Sequence, residues 1–171
     1  GLGQYRRIAS IEGDRVNLVA PWAVTPDRDT HIAILKCSHH NLWVNNSCKD
    51  GDGMSQFIYG AGIDNIIAGH LMMNNGGVSL HARKRYNREG EMTNYGVLAF
   101  NRLIGNQSRY AGSGGGAFRL WRVSGEVEPL TQLGNVLRHN VAVGGGEAAQ
   151  HQNQYGDWWN KHNITYEPHL A

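Results

Sequence analysis

Four groups of side chains in this sequence have the types and spacing that chemistry needs. Asp50 and Asp52 flank Gly51. Two carboxylates two positions apart on an extended chain point the same way, which suits an acid/base pair or a hard divalent cation such as calcium. The same Asp-Gly-Asp-Gly run also suits a corner, because both residue types form turns. Histidines form the second group: His39-His40, His70, His81 and His139, out of 9 in the chain. Of these, His40, His70 and His81 are the expected bases, with stacking between repeats as the structural alternative. No His-x-x-x-His spacing marks a helix-borne zinc site, so metal use stays open. The third group, Arg83, Lys84, Arg85, Tyr86 and Arg88, sets positive charge beside a phenol. It suits an anion, or a solvated loop. Trp158 and Trp159, with Tyr155, offer flat rings for stacking or a hydrophobic cap.

Placing these groups requires the elements that carry them, and the chain reads as repeats. Asn41-Leu42-Trp43-Val44-Asn45-Asn46 is echoed by Asn65-Ile66-Ile67-Ala68-Gly69-His70, and again by Asn135-Val136-Leu137-Arg138-His139-Asn140. A third copy is read at Gly96-Val97-Leu98-Ala99-Phe100-Asn101. In that alignment His70 takes the place of Asn46, Asn101 and Asn140. Each copy closes on a small Gly-containing cluster, and in the first three a second strand follows, at 55–59, 78–81 and 117–121. Short strands recurring every ~20–25 residues without a helical period predict an all-β fold, a parallel β-helix or β-solenoid of a few coils with loop insertions. Asn is expected to stack at corners from coil to coil, with Gly supplying positive φ there. A sandwich would also have short strands and Gly-rich turns, but it leaves the Asn echo unexplained. Polar insertions at 82–94 and 124–132 interrupt the coils and belong on one face.

The opening differs. Ile8 and Ile11, a Gly13-Asp14 turn and Val16-Asn17-Leu18 predict a hairpin. The run from Gly3-Gln4-Tyr5-Arg6 through Pro21-Trp22 to Pro26-Asp27 resembles a segment of bacterial right-handed parallel β-helix proteins of the pectate-lyase-like superfamily, over roughly residues 1–80. That resemblance implies a right-handed coil and secreted or periplasmic carbohydrate-active relatives. It leaves the activity open among lyases, hydrolases, esterases, epimerases and tailspikes. One domain is expected over 1–171, with an opening hairpin segment at 1–30, coils at 31–146 and a C-terminal loop or cap at 147–171.

Composition bounds the function. The chain has 171 residues, 40% hydrophobic and 18% charged, with 23 glycines and 4 prolines. That is one globular domain's worth of core. No run approaches 18 apolar residues, so no membrane helix or membrane partner is expected. The 16 basic and 14 acidic residues give a net charge of +2, too weak a footprint for a nucleic-acid partner. The opening residues carry no apolar signal-peptide core, which fits a processed chain or a piece of a longer one. Cys37 and Cys48 are compatible with one bridge or two thiols. The resulting expectation is a polysaccharide lyase or glycoside hydrolase acting on an acidic polysaccharide in a surface groove. Asp50, Asp52, His40, His70 and His81 are its catalytic candidates. Arg83, Lys84, Tyr86, Trp158 and Trp159 are its substrate-binding candidates. The competing expectation is a non-catalytic solenoid module, carbohydrate-binding or fibre-like, that oligomerises through its ends.

Overall fold

The structure is a computed structural model, and it describes residues 4–30, 32, 34–51, 55–83, 85–94, 96–110, 118–122, 132–144, 157–161 and 164–166. The chain divides into two compact units, Gly1–Ala33 and Ile34–Ala171. In the first, strands β1 (Ile8–Glu12) and β2 (Arg15–Leu18) pair antiparallel around the Gly13-Asp14 turn, as the alternation predicts. Gln4 and Arg6 then hold the segment that follows. The Gln4 side chain accepts from the Ala23 and Val24 amides and donates to the Val24 carbonyl. Arg6 Nε donates to the Pro21 carbonyl at 2.6 Å, and its guanidinium lies 5.7 Å from the centre of the Trp22 ring.

The second unit is built from parallel strands. Its first layer contains β3 (Ser38–His39), β4 (Leu42–Val44), β5 (Ser47–Lys49) and β6 (Ser55–Gly60). The next contains β7 (Gly62–Ile63), β8 (Ile66–Ala68), β9 (Leu71–Met73) and β10 (Val78–Ala82). An antiparallel hairpin, β11 (Arg85–Tyr86) and β12 (Met92–Asn94), interrupts the winding. The third layer has β13 (Leu98–Ala99), β14 (Arg102–Ile104), β15 (Gln107–Arg109) and β16 (Phe118–Arg122). The fourth has β17 (Gln132–Arg138) and β18 (Val141–Val143), and the last β19 (Asp157–Lys161) and β20 (Ile164–Tyr166).

Equivalent strands pair in parallel from layer to layer, so the strands gather into three stacked parallel sheets. There is no helix among the described residues, and none long and apolar enough to cross a membrane. The fold is all-β with multiple parallel sheets, consistent with a β-solenoid. The parallel stack also runs beyond residue 146, because β19 and β20 continue two of the sheets at 157–161 and 164–166.

The local rule is a five-residue unit: Asn, an outward residue, a buried residue, another outward residue, then a left-handed corner. Asn65–Gly69, Asn101–Gly105 and Asn135–His139 follow it; in the first layer Trp43 is part-buried and Cys48 exposed at the third position, and the second unit of the second layer is led by His70. The buried positions stack into columns. Ile67, Leu103 and Leu137 form one, and Met72, Ser108 and Ala142 another. Burial of each large aliphatic side chain contributes about 1.5–3 kcal/mol.

The Asn side chains form two ladders. In the first, Asn41 Nδ2 donates to Asn65 Oδ1, Asn65 to Asn101 and Asn101 to Asn135, each at 2.9 Å. Each inner Nδ2 also donates to the carbonyl of a neighbouring layer: Asn65 to Ser38, Asn101 to Gly62 and Asn135 to Leu98. These bonds satisfy buried backbone that corners would otherwise leave unpaired. The second ladder runs Asn46, His70, Asn106, Asn140. This corrects the expected register of the third copy, which starts at Asn101 and not Gly96. Asn101 stacks on Asn65, and the counterpart of His70 is Asn106.

Corners also depart from expectation. Gly69, Gly105, Gly134 and Gly144 do supply positive φ, but His40, Asn45, Asp50, Asp64, Asn74, Phe100, Tyr110 and His139 adopt it at equivalent corners, with φ between 49 and 57°. The ladder bonds on either side over-determine the backbone and hold side-chain-bearing residues where isolated chains avoid it. Gly134 is required for a second reason: a Cβ there would sit 2.7 Å from Cδ1 of Phe100, its counterpart in the previous layer.

Candidate functional site

The third sheet, of β6, β10 and β16, sorts its residues by alternation. Val78, Leu80 and Ala82 join the core cluster, which turns Ser79 and His81 to the other face. In β6, a bulge leaves Phe57 as an extra residue between Gln56, paired with Ser79, and Ile58, paired with Leu80. The bulge lets Phe57 pack inward, 4.7 Å from the His70 ring and 6.2 Å from Trp43. It also restores the register so that Tyr59 falls directly opposite His81.

Three side chains, of Tyr59, His81 and Arg83, meet beside that strand. The Tyr59 and His81 rings are edge-to-face with centroids 5.1 Å apart. The Arg83 guanidinium lies 5.2 Å from the Tyr59 ring centre, within cation–π range. Register places Trp121 of β16 on the far side of His81. Burial pushes the His81 pKa below its ordinary 6.5, because desolvation penalises the imidazolium. His81 is therefore a neutral imidazole at neutral pH, the form that accepts a proton. Arg83 is anchored through its backbone, which donates to the Gly60 carbonyl at 2.9 Å. Gly96 passes so close that a Cβ there would lie 2.5 Å from the Arg83 amide nitrogen, pinching the stem of the β11–β12 hairpin. Beyond that stem Tyr86 is exposed, and Asn87 closes the loop by accepting from the Glu91 amide and donating to its carboxylate.

The other expected site residues go elsewhere. His70 is 1% exposed and is a rung of the second ladder. Its Nδ1 accepts from the Asn46 amide, which assigns the proton to Nε2, and Nε2 donates to the Trp43 carbonyl at 3.1 Å. Both nitrogens are thus committed to backbone. Asp50 is not on an extended stretch: it is a left-handed corner with φ 54°, where it accepts from Asn74 Nδ2 and lies 3.7 Å from Lys49 Nζ. His40 occupies another corner, with Nε2 3.5 Å from Asp64 Oδ2. Asp52 and Lys84 lie outside the described residues. Trp158 and Trp159 fall in β19, opposite Asn135 and Val136 of the preceding layer; their side chains lie outside the described residues. Cys37 and Cys48 are both free thiols, and burial pushes the Cys37 thiol pKa up.

Tyr59 is the site residue that sequence reasoning missed. Phe57-Ile58-Tyr59 is a run of three large side chains with no alternation to mark it, and only the bulge decides which of them shares the His81 face. No protein-family model matches the chain, and neither does any curated protein or solved structure.

Proposed function

We propose that this chain is a secreted bacterial β-helix that acts on an acidic polysaccharide, with the outer face of the third sheet as its substrate surface. The observation that carries the reading is the Tyr59–His81–Arg83 cluster, in which the Tyr59 phenol ring meets the His81 imidazole on one side and the Arg83 guanidinium on another. Glycoside hydrolysis calls for two carboxylates. An imidazole, a phenol and a guanidinium instead suit β-elimination at a uronate. Arg83 neutralises the sugar carboxylate, which acidifies the adjacent C–H. His81 takes that proton, and Tyr59 protonates the leaving glycosidic oxygen. A right-handed winding is favoured because parallel crossovers have that hand in nearly every case. Successive layers about 4.8 Å apart give the face its repeat along the polymer.

A second reading keeps the same face without the chemistry. Tyr59, His81 and Arg83 would then form a stacking and charge platform on a binding module, and the open sheet edges of the end layers would support association of copies.

Incubation with a panel of neutral and uronate-rich polysaccharides separates these. Unsaturated ends, read by ultraviolet absorbance and lost in His81→Ala, are the expected result. Binding by affinity electrophoresis with neither unsaturated nor reducing ends supports the module. New reducing ends without absorbance would overturn the elimination chemistry.

A further inference from the structure

Away from that face, His39 and His40 bring their Nδ1 atoms to 2.9 Å, with the rings 88° apart. Two imidazole nitrogens facing each other can hold only one proton between them. The arrangement at His40 decides where its lone pair lies. Asp64 Oδ2 sits 3.5 Å from His40 Nε2, and Asp64 Oδ1 sits 3.7 Å from the Arg102 guanidinium. A carboxylate at Nε2 keeps the proton there and presents Nδ1 as an acceptor, the outer-sphere arrangement that orients metal-ligating histidines. These residues come from three successive layers: His39–His40 from the first, Asp64 from the second and Arg102 from the third. Stacking brings Asp64 and Arg102 to the adjacent His39-His40 pair.

We propose that His39 and His40 form a two-nitrogen chelate for a borderline divalent cation of the Cu2+ or Ni2+ kind, with Asp64 as the positioning residue for His40 and Arg102 for Asp64. Provided the rotated rings keep the 2.9 Å separation, donors each about 2.0 Å from a metal subtend roughly a right angle. That bite matches cis positions of square-planar or octahedral sites better than tetrahedral ones. Imidazole nitrogen disfavours calcium, which takes oxygen ligands. Both residues are exposed, so a modest ring rotation turns the two lone pairs from each other onto a common point. The His39 proton moves to its own Nε2 through solvent, so the ligand stays neutral and no charge is left over. Water fills the remaining positions.

Isothermal titration of Cu2+, and separately Ni2+, into the full chain tests this, with electron paramagnetic resonance of the copper form counting coordinated nitrogens. One tight equivalent with two nitrogens is expected, lost in His39→Gln and in His40→Gln. Asp64→Asn should keep the stoichiometry and weaken affinity by about tenfold. His139→Gln, at another exposed corner, should change nothing. Absence of a tight equivalent in the wild type, or its survival in His39→Gln, overturns the proposal.

Discussion

His70 and His81 belong to one layer of the same stack, yet their surroundings differ in kind. His70 lies inside a corner, both ring nitrogens bonded to backbone of the preceding layer, and its ring packs on Phe57. His81 stands on the outer face of a strand, beside Tyr59, in a position that favours a neutral ring. In a stacked fold the position within the repeat decides what a residue does. A corner commits a side chain to the backbone, as both ring nitrogens of His70 show, whereas an outward strand position sets a ring against its neighbours on the same face, as His81 meets Tyr59.

Substitutions at the two histidines and their neighbours can break that contrast. The largest effect is expected at the face: His81→Ala should lower the elimination rate on a uronate polymer by about 10²–10⁴-fold, the usual contribution of a positioned base. Thermal unfolding should move less than for a core substitution, since the ring is only part-buried and packs on Tyr59. Next comes the ladder. Asn101→Ala removes a fully buried rung and strands the Asn65 amide and the Gly62 carbonyl, so denaturant unfolding should show a loss of about 3 kcal/mol. Comparable activity per folded molecule should remain.

His70 sharpens the comparison further. Exchange for Leu leaves the Asn46 amide and the Trp43 carbonyl without partners and should cost about 2 kcal/mol. His70→Asn restores the ladder chemistry of Asn106 and should cost under about 1 kcal/mol.

A pH titration of stability reports on His81. Its folded pKa lies below the unfolded 6.5, so the unfolded chain binds the proton more readily. Its contribution to stability is whole above pH 6.5, declines as pH falls through 6.5 and levels off below the folded value. His81→Gln should flatten that decline. The smallest effect is expected at Tyr110, an exposed left-handed corner with φ 55°. Tyr110→Asn should raise stability by up to about 1 kcal/mol, because Asn tolerates that conformation.

Much of this division was legible in the sequence. The Asn-led echoes at 41, 65 and 135 announce stacked parallel strands and Asn ladders, because a side chain recurring at a fixed place in the coil must meet its own kind in the next layer. The strands at 55–59 and 78–81 are found where the pattern puts them, to within one residue. The third copy misled because Gly96–Asn101 ends in Asn just as the true units begin with it, a shift of one five-residue unit. The site was less legible. His81 and Arg83 could be singled out by type, but Tyr59 joins them through a bulge and a register that only three-dimensional pairing fixes. Asp50 looked like half of a carboxylate pair because a left-handed corner occupied by Asp has no sequence mark distinguishing it from an extended Asp. The His40–Asp64–Arg102 chain spans three layers, so linear spacing hides it.

The central claim is that corner and face histidines in one layer do separate work, and His70→Ala and His81→Ala measured side by side test it most directly. Each variant would be assayed for unfolding midpoint and for action on, or binding to, a uronate polymer under identical conditions. The account predicts a crossed outcome: His70→Ala lowers the midpoint while the folded fraction retains its glycan activity, and His81→Ala moves the midpoint less while losing that activity. A His81→Ala chain that acts on and binds the polymer like the wild type, or a His70→Ala chain with an unchanged midpoint, would contradict it.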